Sequence, residues 1–169
     1  MKNYFKDCRT AEDCKRVYHQ HAKQFHSDNT GGNDDLMKEL NRQYTEAWNR
    51  LKDIHEYKDS TTGESKTYTS KQCTNETPEM FIEIVRKLST IPDIEVEMVG
   101  TWLWISGNTY PYRDTLKEFG CRWSAGKKKW YWTTEPFSKK SSKLSMNSIR
   151  MRYGSEMLNI ERTPELTSR

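Results

Sequence analysis

A chain of 169 residues has room for one ordinary domain or two small ones and little for a multi-step catalytic architecture. Leu, Ile, Val and Phe together number only 26, a share low enough to suggest disorder, yet 6 Trp, 9 Tyr and 7 Met beside a net charge of +4 argue for small aromatic-centred cores. No apolar run is long enough to cross a bilayer, and Lys2, Lys6 and Asp7 interrupt any signal-peptide stretch, so a soluble, cytosolic protein with no membrane partner is expected.

Charge is unevenly spread. Residues 1–55 carry 10 basic and 9 acidic side chains, whereas residues 101–152 carry 11 basic and 3 acidic ones. That local excess suits a polyanionic partner, because exposed charges act mainly within a Debye length of about 8 Å. Cys8, Cys14, Cys73 and Cys121 are scattered without a Cys-x-x-Cys pair, which fits reduced thiols rather than a disulfide framework or a zinc cluster.

Thr10 with Asp13 reads as a capping box in which Asp stands for the usual Glu. Ala11, Cys14, Tyr18, Ala22 and Phe25 recur at helical spacing, which predicts a helix over 11–25. Breakers from Ser27 to Asn33 follow, and then Met37, Leu40, Tyr44, Ala47, Trp48 and Leu51 mark a second helix over about 34–53. Two amphipathic helices joined by a polar loop predict an antiparallel hairpin. Lys15, Arg16, His19 and Lys23 fall on the opposite face and lead to His26, Ser27 and Asp28 in the loop. His19 and His21 point in different directions on a helix, with no Cys or carboxylate at ligand spacing, so no metal is expected. Asp34 and Asp35 suit a helix N-terminus.

Tyr18, Ala22, Phe25, His26 and Asp28, followed by Met37, Leu40, Asn41 and Tyr44, resemble the J-domain of DnaJ-type cochaperones over residues 3–53. The resemblance implies docking onto a DnaK-type chaperone, with Lys15, Arg16, His19 and Lys23 on an acidic surface and His26, Ser27 and Asp28 stimulating ATP hydrolysis. Ser27 departs from the family, whose proline at this place has a fixed φ of about −65° that pre-sets the loop.

Residues 56–76 are polar, rich in Ser and Thr and without apolar period, so they read as a linker. Thr77 then caps a helix that starts at Pro78 and runs to about Ser89, with Met80, Phe81, Ile84, Val85 and Leu88 as its apolar stripe. Ile94 to Met98 alternates strictly, Gly100 supplies a turn, and Thr101 to Ile105 is β-branched and aromatic, which predicts a hairpin with Leu103 and Ile105 on one side and Trp102 and Trp104 on the other. A short helix from Tyr110 stops at Gly120. Cys121 to Trp123 and Lys129 to Trp132 form a second hairpin, and a turn capped by Ser145 ends at Gly154. The expected fold class is α+β: a J-like antiparallel helical hairpin over 1–55, a linker over 56–76, an αββαββ domain with a terminal helix over 77–160, and a tail over 161–169.

Leu116-Lys117-Glu118-Phe119-Gly120-Cys121-Arg122-Trp123 with Lys128-Lys129-Trp130-Tyr131-Trp132 resembles a short module of phage and mobile-element proteins and of some DNA-processing enzymes. Aromatic rings stack on bases while neighbouring cations neutralise phosphates, so Trp102, Trp104, Arg113, Lys117, Arg122, Lys127, Lys128, Lys129, Arg150 and Arg152 are candidate contacts to nucleic acid or a partner. The same residues also fit a scaffold, with Trp123, Trp130 and Trp132 as core and Lys127 to Lys129 as a solvated turn.

No Ser-His-Asp order, glycine-rich phosphate loop or His-Glu-x-x-His occurs, so no catalytic residue and no cofactor are expected. The resemblances imply a non-enzymatic phage-type adaptor, which joins a hairpin that docks on a DnaK-type chaperone or host protein to a module that binds single-stranded nucleic acid or a nucleoprotein. The alternative is an inhibitor that blocks a host defence protein complex by surface contact, for example an anti-CRISPR.

Overall fold

The computed structural model describes residues 2–25, 33–70, 74–135 and 143–158. His26, Ser27 and Asp28 lie outside the described residues, as do Cys73 and the expected tail.

Helix α1 spans Ala11–Phe25 and starts where its cap dictates. Thr10 Oγ1 accepts from the Asp13 amide at 3.2 Å, and the Asp13 carboxylate accepts from the Arg9 amide at 3.0 Å. Helix α2 spans Asp34–Leu51, capped by Asn33, whose side chain accepts from the amides of Asp35 and Leu36. The two pack against each other through rings: Tyr18 stacks on Tyr44 at 4.5 Å, Tyr44 lies 5.9 Å from Phe5 and 6.0 Å from Trp48, and Tyr18 donates to Asn41 Oδ1 at 3.0 Å.

The stretch expected to be a linker is instead largely a β-hairpin. Strands β1 (Ile54–Lys58) and β2 (Ser65–Thr69) pair antiparallel, with His55 opposite Tyr68 and Tyr57 opposite Lys66. The Asp59 carboxylate closes the turn, accepting from the amides of Thr61 and Thr62 and pairing with Lys66 Nζ at 2.7 Å. Strand β2 is exposed along its length, so no apolar alternation marks it in the sequence.

Helix α3 (Pro78–Ser89) begins as the cap predicts, with Thr77 Oγ1 accepting from the Met80 amide at 3.3 Å. Strands β3 (Ile94–Val99), β4 (Trp102–Gly107), β5 (Arg122–Ser124), β6 (Lys129–Trp132) and β7 (Ser155–Leu158) form one antiparallel sheet in the order β5-β6-β4-β3-β7. Helix α4 (Arg113–Glu118) follows a 3-10 turn at Tyr110–Tyr112, and α5 (Met146–Tyr153) precedes β7. Gly107 is required at the end of β4: its φ is +89°, and a Cβ there would meet the Asp93 carbonyl oxygen at 2.6 Å. Among the described residues no helix is long and apolar enough to cross a membrane.

One face of this sheet is core. Val96, Met98, Leu103, Ile105, Trp130 and Trp132 are buried and share a cluster with Phe81, Ile84 and Leu88 of α3 and Leu116 of α4. The same cluster contains Phe5, Tyr18, Leu40, Tyr44 and Trp48, so the helical hairpin and the sheet unit share one core. A buried ion pair sits where they meet. Lys15 Nζ pairs with the Glu76 carboxylate, donates to the Thr101 carbonyl at 2.9 Å, and lies over the rings of Phe81 (4.6 Å), Trp48 (5.4 Å) and Trp132 (5.8 Å). The Trp48 indole in turn donates to the Glu76 carbonyl at 2.8 Å.

Candidate nucleic-acid interface

The other face of the sheet carries the aromatic residues that alternation turns away from the core. Cross-strand register sets Glu97, Trp104, Tyr131 and Arg122 in one row across β3, β4, β6 and β5. Trp102 lies beside that row, its ring stacked on Tyr131 (5.3 Å, 18° between planes) and on Trp104 (6.0 Å, 22°), and Trp104 sits 5.5 Å from Tyr131. Trp104 is only 6% exposed and forms the floor, while Trp102 and Tyr131 are partly buried and offer ring surface to a ligand. Lys129, on the same side of β6 two residues before Tyr131, is partly exposed, and Arg122 is exposed at the sheet edge.

A buried carboxylate beside this stack would repel phosphate, and the fold neutralises it. Arg150 of α5 grips Glu97 with Nε at 2.5 Å and Nη2 at 2.7 Å, and Ser155 also donates to it. The Arg150 hydrogen bond, against the opposing effect of burial, keeps the Glu97 carboxyl below the usual range. Arg150 is therefore a structural anchor for α5, with its charge taken up by Glu97.

The remaining expected contacts are dispersed. Arg113 and Lys117 on α4 flank Asp114 at 3.8 and 3.2 Å, and Arg113 lies over the Tyr110 ring at 5.0 Å. Lys127 donates to the Leu144 carbonyl, Lys128 is exposed with φ +53° in the β5–β6 turn, and Arg152 lies over Tyr57. Of the tryptophans weighed as core, Trp130 and Trp132 are buried, whereas Trp123 on the edge strand is 49% exposed with its ring edge-on to Trp130.

The expected chaperone-docking face is altered at its first member. Lys15 is fully buried, not exposed, because it extends the stripe of Ala11, Tyr18 and Ala22 at helical spacing and finds Glu76 there. Arg16 pairs with Asp13 at 3.1 Å and with Glu156 of β7 at 3.5 Å, which turns it toward the sheet. His19 is partly buried, and burial, reinforced by the Lys23 charge, lowers its pKa; Lys23 is exposed. Tyr131 and Glu97 were not singled out by sequence reasoning, although the alternation that buries Trp130 and Trp132 already turns Tyr131 outward. No protein-family model, curated protein or solved structure matches the chain.

Proposed function

We propose that this protein binds single-stranded nucleic acid on the outer face of its five-stranded sheet at β4, β6 and β5, with no catalytic step. The observation that carries this reading is the Trp102–Trp104–Tyr131 stack, bordered by Lys129 and Arg122 within the most basic stretch of the chain. Bases stack on Trp102 and Tyr131, Trp104 supports both rings, and the cations meet the backbone. Lys129 and Arg122, the cations that border the stack, make a polyanion the complementary occupant. Docking on a DnaK-type chaperone gains no support from α1, whose Lys15 is spent on Glu76.

The test is fluorescence anisotropy with a labelled oligonucleotide over a salt series. The reading expects binding at low salt that weakens as salt rises, by about 0.7 in log affinity per log salt for each phosphate contact. Absence of binding at low salt by a folded protein overturns it and moves the weight to protein recognition by the same face.

A further inference from the structure

Resting on that reading, we infer that the binding track runs off the sheet, over Arg152 of α5, to Tyr57 and Tyr68 of the β1–β2 hairpin, so that the ligand is a single strand long enough to span both. Aromatic and cationic groups follow one another along this line. Beyond Trp102 the chain turns at Gly100, where an added Cβ would meet the Tyr153 Cβ at 3.5 Å. The next residue back along α5 from Tyr153 is Arg152, whose guanidinium lies 5.6 Å from the Tyr153 ring and 5.4 Å from the Tyr57 ring. Tyr57 meets Tyr68 edge to face at 5.8 Å, and Tyr68 lies 5.4 Å from His55.

Helix α5 makes this placement. Arg150 and Arg152 are two residues apart, about 200° around a helix with 3.6 residues per turn. One guanidinium therefore fastens α5 to Glu97 on β3 while the other reaches the hairpin. Arg152 and Tyr68 are exposed, and Tyr57 and Tyr153 are partly so. Of the other charged groups here, His55 pairs with Glu12 at 2.9 Å, Lys66 pairs with Asp59 at 2.7 Å, and the Glu135 carboxylate acts on Tyr68 and His55 from beyond the end of β6. Arg152 is thus placed to meet a phosphate between bases held on the sheet and bases held on the tyrosines, the alternation of ring and cation that a flexible single strand follows.

The experiment compares two labelled oligonucleotides, of about 4 and about 12 nucleotides, which bracket most of the range of known single-strand sites. Wild-type protein should bind the longer one more tightly. Tyr68→Ala and Arg152→Ala should each shrink that long-to-short ratio about fivefold or more, as loss of one stacked base or its phosphate partner implies. Trp102→Ala should weaken binding of both lengths. Circular dichroism checks each variant, and Tyr68→Phe, which keeps the ring, should keep the ratio. A ratio unchanged in both Tyr68→Ala and Arg152→Ala overturns the extended track while leaving the sheet-face reading intact. Absence of binding to either oligonucleotide removes both.

Discussion

Two clusters in this molecule are built from the same parts, a cation among aromatic rings, and they have opposite fates. In the first, Lys15 is surrounded by Trp48, Phe81 and Trp132, fully buried, with its charge answered by Glu76 and the Thr101 carbonyl. In the second, Trp102, Trp104 and Tyr131 stack on the outer sheet face beside Lys129 and Arg122, with Trp102 and Tyr131 still partly open to solvent. The difference lies in how deeply each cluster is buried. An ammonium that finds a buried carboxylate and carbonyl becomes part of the core, whereas rings left partly exposed on the outer sheet face keep surface for a ligand. Aromatic and basic composition therefore does not separate core from candidate site; the exposure of the rings does.

The comparison breaks most sharply at Lys15. Lys15→Ala strands the Glu76 carboxylate in the core and should cost about 3–5 kcal/mol of unfolding free energy by urea denaturation. Lys15→Met with Glu76→Gln, which removes both charges, should recover much of it. On the open face, Trp102→Ala should cost about 1–3 kcal/mol of oligonucleotide affinity, measured by anisotropy, with the salt slope nearly unchanged.

The third effect is in pH. Burial disfavours the charged form of His55, but the hydrogen bond and charge of Glu12 outweigh it and hold its pKa above the ordinary 6.5. A folded value above the unfolded one means that the stabilisation is full below about pH 6.5 and is lost as pH rises through the folded value. The advantage of wild type over His55→Gln in urea midpoint should therefore be larger at about pH 6 than at about pH 9. His19, shifted the other way, is common to both proteins and drops out of the difference. The smallest effect is expected from Lys129→Ala, which should flatten the salt slope by about 0.7, one single-strand phosphate contact.

Most helices and the β3 to β6 strands were legible because their signals are local. Thr10, Thr77 and Ser145 cap where expected, Gly154 ends α5 at φ +76°, and the alternation around Trp104 assigns both faces of β4. What escaped was fixed by tertiary contact. The β1–β2 hairpin is held by His55, Tyr57 and an Asp59 turn in place of aliphatic alternation. Strand β7 gains its place from pairing with β3, where Leu158 meets Val96. The charge of Lys15 points to solvent although its position lies on the apolar stripe, and only Glu76, more than sixty residues away in sequence, explains why a lysine belongs there. Of the candidate site, Trp102, Trp104, Arg122 and Lys129 were readable from alternation and charge, but the neutralisation of Glu97 by Arg150 was not.

The two clusters can be read in one titration. Uniformly 15N-labelled protein titrated with an unlabelled oligonucleotide reports each tryptophan through its indole N–H signal. The account predicts that the Trp102 indole and the Tyr131 and Lys129 amides shift on binding, while the indoles of Trp48 and Trp132 around Lys15 stay in place. Shifts centred on Trp48 and Trp132, or a spectrum unmoved at low salt, would contradict it.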